Sequence, residues 1–472
     1  MYKAYVTQIK NLHKHPNADR LQLGECFGNT VCVNLDYTEG QMGVYFPTDG
    51  QLSVEFAEAN NLLRKKDDAG NSIGGYMDPD KRNVKTIRLR REKSDGLFLP
   101  LECLESFGDI STLKVGDTID TFNGHLICEK YIPRRKNRQG GNVQGNKTRK
   151  KKVPVAPLFA EHADTEQLAY NLSAFRPGDE IEITLKMHGT SQRTGYLPVF
   201  KGFKNDFWGR IMNNTNPERR IGRLAYKLYN KAFDKATPIY EWEYISGTRR
   251  TVLEDFEGGY YGSNEFREQH SKFFEGKLWK GESVYYEVVG FTTNGTPIMG
   301  VCNNKKLNDK DFVKRYGETT TFSYGCAPDG WNSQSGGYNL GRCEPQSDIY
   351  VYRMTMTNED GNVVEYTPDF MRYRCEQMGV KTVPVFAKFI IPNTLLECHS
   401  GEYVKYMAEA FCEGPDPIGK THIREGVVVR ILNRPKFTAY KHKNFEFKVL
   451  EGIIKDTAEA PDMEEGDGLN DI

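Results

Sequence analysis

The sequence predicts an α+β protein with a small β-barrel at its N-terminus and a larger domain of antiparallel strands and helices after it. In the first part, short alternating segments at residues 5–10, 31–33 and 44–47 are closed by glycine and proline turns, which is typical of a small barrel. In the later part, residues 283–290 form a longer apolar strand and Pro368 opens a helix. The chain of 472 residues is long enough for two or three domains with sizeable cores.

The formal net charge is zero, but basic and acidic residues are concentrated in two separate segments. These two segments mark domain boundaries. Residues 1–130 are predicted to form the barrel module, 131–155 a basic linker, 156–455 the larger domain, and 456–472 an acidic tail that is predicted to be disordered. The linker is suited to phosphate contacts with nucleic acid. Its candidate binding residues are Arg134, Arg135, Lys136, Arg138, Lys150 and Lys151.

Hydropathy and cysteine usage exclude several classes of protein. The mean hydropathy is -0.64, no apolar run approaches the ~18 residues of a membrane helix, and no signal-peptide pattern opens the chain. Ten cysteines are scattered without C-x-x-C spacing, which indicates reduced thiols. We therefore expect a cytoplasmic monomer with no membrane partner.

The most informative stretch is residues 184–191. In it, Lys186 follows Leu185 at the end of an alternating apolar segment and enters a turn that contains Gly189. A lysine at this position projects from a strand end into a cleft, where it can act as a nucleophile. A surface lysine before a β-turn would give the same pattern, so the interpretation depends on the segments downstream.

Three later segments have the pattern of β-strands but carry charged residues that an ordinary structural strand would not need. Glu287 lies within an apolar and aromatic segment, and a buried carboxylate requires a partner. Glu425 leads a β-branched strand, and Lys441 and Lys443, at a spacing of two, point to the same face of another. Taken singly, Glu287 could be a salt-bridged acid in the core, and Glu425 could be a surface residue at a strand end. Lys441 and Lys443 could belong to a solvated strand edge.

Taken in this order, the four segments resemble the motifs of ATP-dependent RNA ligases of the covalent nucleotidyltransferase superfamily. The K-x-H-G form at Lys186 is similar to the branch that contains nick-sealing phage ligases and editing ligases. The resemblance covers about residues 175–450 and implies an ATP-grasp-like adenylyltransferase domain. It also implies a reaction in which a lysyl-AMP intermediate transfers AMP to an RNA 5′-phosphate, which a 3′-hydroxyl then attacks. The implied cofactors are ATP and Mg²⁺ (or Mn²⁺), and the implied partner is RNA with these two kinds of end.

The resemblance also assigns roles to residues of this sequence. Lys186 is the implied catalytic nucleophile, and Tyr352, in a segment similar to motif IIIa, would stack on adenine. The implied nucleotide-binding residues are Leu185, His188, Gly189, Ser191, Arg249, Glu287, Tyr352, Lys441 and Lys443. Arg249 is preferred to Arg250. Glu425, with Glu287 nearby, would hold magnesium through its water shell. Because a free lysine is mostly protonated at neutral pH, Lys441, Lys443 and magnesium are expected to favour the neutral nucleophile.

The sequence differs from the family pattern at two places, and one N-terminal motif extends the resemblance to the first module. Ser191 stands where the branch usually has asparagine. The gap between Glu287 and Tyr352 is longer than usual, which implies an insertion at about 291–347 in the larger domain. The phrase H-P-N-A-D-R-L at residues 15–21 resembles the opening of tRNA-binding OB modules. It also resembles the N-terminal OB-like module of Deinococcus-type RNA ligases, in which residues 85–100 have a counterpart as well. This resemblance implies RNA contact by the N-terminal module.

Two alternatives remain open. A DNA ligase or a capping-type nucleotidyltransferase shares the fold, although His188 favours an RNA ligase. A protein of another class, a non-catalytic tRNA- or RNA-binding protein with a degenerate transferase domain, would not need the lysines and acids to be intact.

Overall fold

The computed structural model describes residues 2–66, 72–131, 153–162, 165–214, 223–253, 256, 264–307, 309–326 and 347–456. Residues 132–152 of the basic linker, with Arg134, Arg135, Lys136, Arg138, Lys150 and Lys151, lie outside the described residues, as do the residues of the acidic tail after 456. None of the helices in the described ranges is both long and apolar enough to cross a membrane.

The N-terminal module is rich in short strands, as the sequence predicts. Its strands are β1 (Ala4–Gln8), β2 (Lys10–Lys14), β3 (Leu21–Cys26), β4 (Asn29–Asn34), β5 (Met42–Phe46), β6 (Gly50–Leu52), β7 (Lys65–Lys66), β8 (Ser72–Gly74), β9 (Thr86–Leu89), β10 (Glu92–Asp95), β11 (Leu97–Pro100), β12 (Thr118–Ile119), β13 (Thr121–Phe122), β14 (His125–Leu126) and β15 (Cys128–Lys130). Helix α1 (Val54–Ala59) follows β6 and is capped by Ser53, whose hydroxyl accepts a hydrogen bond from the Phe56 amide at 3.1 Å. A 3₁₀ helix spans Leu101–Phe107.

These strands form several open sheets. The largest is antiparallel in the order β11-β5-β1-β12, and β2, β3 and β4 form a second sheet beside it. Within the described part of the module no sheet closes on itself, so the β-rich module is confirmed whereas a closed OB-like barrel is not seen. His15, from the H-P-N-A-D-R-L phrase, is buried, with its Nε2 3.1 Å from the Leu89 carbonyl. This phrase therefore ties β9 to the turn before β3.

The later domain is larger and mixes strands with helices. Its strands are β16 (Glu166–Gln167), β17 (Glu180–Leu185), β18 (Thr190–Phe203), β19 (Pro238–Gly247), β20 (Val252–Leu253), β21 (Glu282–Gly290), β22 (Cys302–Asn303), β23 (Thr319–Thr320), β24 (Ser347–Thr357), β25 (Val363–Glu365), β26 (Lys381–Thr382), β27 (Val385–Ile390), β28 (Gly426–Ile431) and β29 (Thr438–Lys443). Its helices are α2 (Phe207–Asn214), α3 (Arg223–Lys235), α4 (Glu265–Phe273), α5 (Lys310–Tyr316), α6 (Pro368–Met378), α7 (Glu397–Cys412) and α8 (Phe445–Asp456). Short 3₁₀ helices span Leu168–Tyr170, Leu172–Ala174 and Asn304–Leu307.

Two sheets of the later domain position the candidate site. One has the order β16-β29-β28-β17-β27, and the other runs β20-β19-β18-β21-β24-β25, with β26 paired to β24. Strand β17 belongs to the first sheet and β18 to the second, so residues 186–189 are the link that crosses between them. The alternation of β17 buries Ile181 and Ile183 in a core with α7 and directs Glu182 and Thr184 to a cleft on the opposite face.

Helix α8 contacts both the later domain and the N-terminal module. Phe447 of α8 packs in the apolar core beneath Leu185 and Met187. On its other side, Glu446 forms an ion pair with Arg88 and Lys448 forms one with Asp95. The predicted counterpart segments of the N-terminal module thus dock on the helix that follows the two-lysine strand.

Candidate active site

The backbone of Lys186 is fixed by hydrogen bonds to two neighbouring segments. Its amide donates to the Gly426 carbonyl at 3.0 Å, and the Leu185 amide donates to the Pro384 carbonyl at 2.9 Å. Gly426 has a φ of +148°, and a Cβ at this position would clash with the His442 carbonyl. Glycine is therefore required where β28 passes both the lysine and β29.

Gly189 is required for a different reason, which is the close approach of two strands. A Cβ on Gly189 would clash with the Val288 carbonyl and would lie 2.9 Å from Cγ of Glu287. The adjoining start of β18 is held by the buried Arg267, which donates to the Thr190 hydroxyl at 2.6 Å and to the Ser191 carbonyl at 3.1 Å. The glycine predicted from the motif thus brings Glu287 against the turn that carries the lysine.

Glu425 is a buried carboxylate that two lysines share. Its Oε1 lies 2.7 Å from Lys186 Nζ and 3.4 Å from Lys443 Nζ, and its side chain is 2% exposed. Burial alone would raise the pKa of Glu425, but Lys186 and Lys443, with His188, outweigh burial and hold this pKa well below its usual range. His188 Nδ1 is 3.5 Å from Oε2, which is long for a hydrogen bond.

Lys443 has a second acidic partner on α8. Its Nζ lies 2.7 Å from Oε2 of Glu451. Burial would lower the pKa of Lys443, but Glu451 and Glu425 outweigh burial and raise this pKa well above its usual value. Lys443 was predicted to favour neutral Lys186 through its own positive charge. In the structure, the Glu425 carboxylate contacts both ammonium groups. Lys443 therefore competes with Lys186 for the same carboxylate oxygen.

An open cleft extends from Lys186 between the two sheets, with a volume of about 790 Å³ that includes the solvent space at its mouth. Its walls combine apolar side chains with charged ones, as a site for a small polar ligand requires. The lining residues named in the sequence analysis are Leu185, Lys186, Arg249, Glu287 and Tyr352. Arg249 is among them, and Arg250 is not.

Tyr352 reaches the cleft because β24 contains an irregularity. Tyr285 of β21 pairs with Arg353 and Tyr286 pairs with Val351, so Tyr352 is the extra residue of a bulge. Bulges redirect side chains. The Tyr352 hydroxyl lies 2.9 Å from the Ser191 hydroxyl, so Ser191 supports this tyrosine from behind.

The remaining predicted residue, Lys441, lies on β29 opposite Val428, and Val428 lines the cleft. By the alternation of the strand, Lys441 shares a face with Ala439, another residue of the cleft wall, and with Lys443. The two lysines predicted to share a face therefore do so, but only Lys443 has a direct contact with Glu425 among the ion pairs described.

The oxygen atoms of Glu425 and Glu287 fit a divalent cation that keeps several waters. Oε2 of Glu425 is buried and has no hydrogen-bond partner within the described residues, and Glu287 lines the cleft nearby. The described ranges contain no cluster of three or more His, Cys, Asp or Glu side chains that would bind a metal by themselves. A cation here would therefore depend on oxygens from a ligand or from water.

Two buried residues that the sequence analysis did not single out organise the cleft wall. Arg193 donates to the carbonyls of Thr248 at 2.9 Å and Phe159 at 2.8 Å, and so fixes the loop that carries Arg249. His162 lines the cleft with its ring 5.0 Å from that of Tyr352. Burial, with the nearby Arg353, lowers the pKa of His162 well below its usual value, so this imidazole is neutral at pH 7. No local pattern identifies either residue, because their partners are distant in sequence.

The insertion before Tyr352 also contributes to the site. Phe322 packs edge-on against the His188 ring with centroids 4.5 Å apart, and the Tyr324 hydroxyl accepts a hydrogen bond from the His188 amide at 2.7 Å. The long gap that the sequence analysis left unexplained therefore places side chains directly behind the candidate nucleophile turn.

No protein-family model and no curated protein matches the chain. Solved structures of an RNA ligase from Naegleria gruberi do resemble it. A mutant of that enzyme with ATP and manganese aligns with a TM-score of 0.51 at 16% sequence identity, over 94% of this chain and 98% of its own. A second mutant, with AMP and manganese, gives a TM-score of 0.52 at 15% identity, over 94% of this chain and 97% of its own. The chain therefore shares the fold of this RNA ligase over nearly the whole length of both proteins.

Proposed function

We propose that this protein is an ATP-dependent RNA ligase that works through a lysyl-AMP intermediate at Lys186. The observation that carries the proposal is the position of Lys186, whose Nζ lies at the head of a cleft and contacts the buried Glu425 at 2.7 Å. Such a concentration of perturbed charges in a cleft is typical of a catalytic site. The shared fold with an RNA ligase solved with ATP and AMP supports the same conclusion.

The first step forms one bond and breaks one. Nζ of Lys186 attacks the α-phosphorus of ATP, the bond from that phosphorus to the bridging oxygen breaks, and pyrophosphate leaves. Lys186 attacks as the free amine, so the proton on Nζ must first pass to water in the open cleft. Lys443 lies 3.4 Å from the carboxylate oxygen of Glu425 that contacts Lys186, and so competes for this contact.

The cleft residues have separate roles in this step. Tyr352 would stack on the adenine, while Arg249 and Lys441 would contact the phosphates. Glu287 and Glu425 would hold a magnesium or manganese ion, which would neutralise charge on the phosphates of ATP. His188 and Gly189 shape the turn, and Leu185 and Ser191 support it from the two sheets.

The second and third steps act on RNA. The 5′-phosphate of an RNA end attacks the phosphorus of lysyl-AMP and releases the lysine, and a 3′-hydroxyl then displaces AMP to form the phosphodiester. A role in RNA repair suits this chemistry. The cations of the 131–155 linker would hold the RNA backbone, which requires no sequence preference.

The proposal is tested by incubating the full-length protein with a divalent cation and α-labelled ATP. We expect covalent label on the wild-type protein and none on Lys186→Ala. Lys201→Ala is the matched control, because Lys201 is a surface lysine of β18 paired with Glu243, and it should label as the wild type does. If the wild type takes up no label from any nucleotide, the non-catalytic RNA-binding alternative is the better account. Label from GTP alone would indicate a capping-type enzyme.

Engagement of RNA is tested separately on a nicked substrate that already carries 5′-AMP. Replacing Arg134, Arg135, Lys136, Arg138, Lys150 and Lys151 by serine should slow sealing and reduce its dependence on salt, with self-adenylylation unchanged. Sealing of DNA-only and RNA-containing nicks by the wild type then separates an RNA ligase from a DNA ligase. An unchanged salt dependence in the serine variant would show that the linker does not contact the substrate.

A further inference from the structure

Tyr324, in the insertion between Glu287 and Tyr352, combines a strained backbone with a buried hydrogen bond. Its φ is +47°, in the left-handed region that bulky side chains rarely adopt, and it is only 3% exposed. Its hydroxyl accepts a hydrogen bond from the amide of His188 at 2.7 Å. Backbone strain of this kind persists only where the surroundings impose it, and it concentrates at functional sites.

The amide of His188 needs such a partner because of where it lies. The link that contains His188 leaves the sheet of β17 and enters the sheet of β18, so its amide is outside both strand ladders. A buried amide without an acceptor is costly. The Tyr324 hydroxyl supplies that acceptor from a segment far away in sequence.

The turn that presents Tyr324 is held from behind by the loop at residues 416–421. Gly325 lies so close to this loop that a Cβ on Gly419 would be 2.7 Å from the Gly325 amide nitrogen. The loop itself is shaped by the buried Asp416, whose Oδ2 accepts hydrogen bonds from the amides of Ile418 at 3.1 Å and Gly419 at 2.7 Å. The Tyr324 turn is therefore wedged between this loop and the His188 link.

Aromatic rings fix the His188 side chain from the same direction. The ring of Phe322 is 4.5 Å from the His188 ring and that of Phe447 is 4.7 Å away, both edge-on. The His422 ring lies 4.7 Å from that of Tyr324 and extends the support away from the cleft. With its backbone and ring both held, His188 keeps Nδ1 directed at Oε2 of Glu425.

We propose that Tyr324 is a positioning residue for the adenylylation step, and this inference rests on the proposed function. By holding the link two residues after Lys186, the Tyr324 hydroxyl fixes the relative positions of the lysine and of Glu425. Small displacements of a nucleophile reduce the rate of a reaction much more than they reduce ligand binding. The insertion thus holds the link at residues 186–189, which begins with the nucleophile, in a fixed position.

The test compares the wild type, Tyr324→Phe and Tyr316→Phe in single-turnover adenylylation across a series of ATP concentrations. Tyr316 lies in α5 of the same insertion, packed on Phe312, and serves as the matched control. For Tyr324→Phe we expect the maximal rate to fall about 10- to 100-fold, with the half-saturating ATP concentration changed less than about threefold. Tyr316→Phe should match the wild type.

Hydrogen–deuterium exchange of the peptide that contains residues 185–190 gives a second readout, which does not depend on activity. Exchange at this peptide should be faster in Tyr324→Phe than in the wild type, at a temperature where both variants are folded. A normal maximal rate in Tyr324→Phe, or unchanged exchange at this peptide, overturns the inference while leaving the proposed function intact. A wild-type protein that does not label at all refutes the proposed function instead, and so separates the two failures.

Discussion

The β29–α8 segment carries charged residues on two sides, and the two sides are built differently. On the side of the N-terminal module, Arg88 pairs with Glu446 and lies 4.0 Å from Asp309, and Lys448 pairs with Asp95. On the side of the cleft, two lysines share one carboxylate oxygen of Glu425, while the other oxygen has no hydrogen-bond partner within the described residues. Glu446 Oε2 on the module side also lacks a hydrogen-bond partner within the described residues, so the difference between the two sides is the sharing of one carboxylate by two lysines at the head of the cleft.

The difference predicts which substitutions affect chemistry and which affect only stability. The module interface should behave as a docking surface, in which partly exposed ion pairs contribute about 1 kcal/mol or less each. Under the proposed function, the cleft should lose activity on small changes, because its charged groups would position the nucleophile. Substitutions that keep the size of a side chain but remove its charge separate the two cases.

The largest effect is expected for Glu425→Gln, compared with Glu446→Gln on the interface side. Glu425→Gln removes the carboxylate that would hold the divalent cation and the 2.7 Å contact that positions Lys186, so we expect self-adenylylation to fall by about 100-fold or more. Glu446→Gln removes one interface pair and should leave adenylylation within about twofold, with a loss of unfolding free energy near 1 kcal/mol. Rates from α-labelled ATP and denaturant titrations measure both quantities. Equal losses of activity in the two variants would remove the distinction between the two sides.

A smaller effect is expected at Tyr352, where the ring and the hydroxyl can be separated. Tyr352→Ala removes the ring that would stack on adenine and should weaken ATP binding by about 1–3 kcal/mol. Tyr352→Phe keeps the ring and loses only the 2.9 Å contact with Ser191, so ATP binding should change by no more than about threefold. Titration calorimetry with ATP measures both. Equal weakening by the two substitutions would show that the hydroxyl, and not the ring, contacts the nucleotide.

The third effect is on stability at low pH, at the module interface, and not on activity. Burial, with the nearby Lys448 and Lys405, lowers the pKa of His442 to about 4, while Asp95 opposes this shift. Because the folded-state pKa lies below that of an unfolded histidine, the unfolded chain takes up the proton first as pH falls from about 6.5 towards 4. The stability contributed by neutral His442 is present above that range and is lost within it.

The measurement is the difference in unfolding free energy between the wild type and His442→Gln at several pH values. We expect this difference to be constant from pH 8 to pH 7 and to shift against the wild type by roughly 2–3 kcal/mol at pH 4.5. The constant range above pH 7 is the internal control. A difference that does not change down to pH 4.5 would show that His442 takes up its proton equally in the folded and unfolded chains.

Much of the candidate site could be predicted from the sequence because its members carry local signals. Lys186 follows an alternating strand and precedes Gly189, and Glu287 interrupts an apolar run. Each of these signals spans a few residues, and the structure brings both residues to the cleft. The β-rich N-terminal module was likewise visible in its short segments, whereas barrel closure depends on pairing between distant strands, and the described sheets are open.

The sequence by itself determined which chemical groups are present and which face of its strand each one occupies, because alternation along a strand is a local property. Only the tertiary structure decided their partners. It brought Glu425 into contact with Lys186 and Lys443. It also directed Tyr352 into the cleft through a bulge and placed the Tyr324 hydroxyl within hydrogen-bond distance of the His188 amide. The physical reason is that burial and long-range pairing decide which charges and hydrogen-bond donors meet, and no short segment encodes the position of a partner that lies far along the chain.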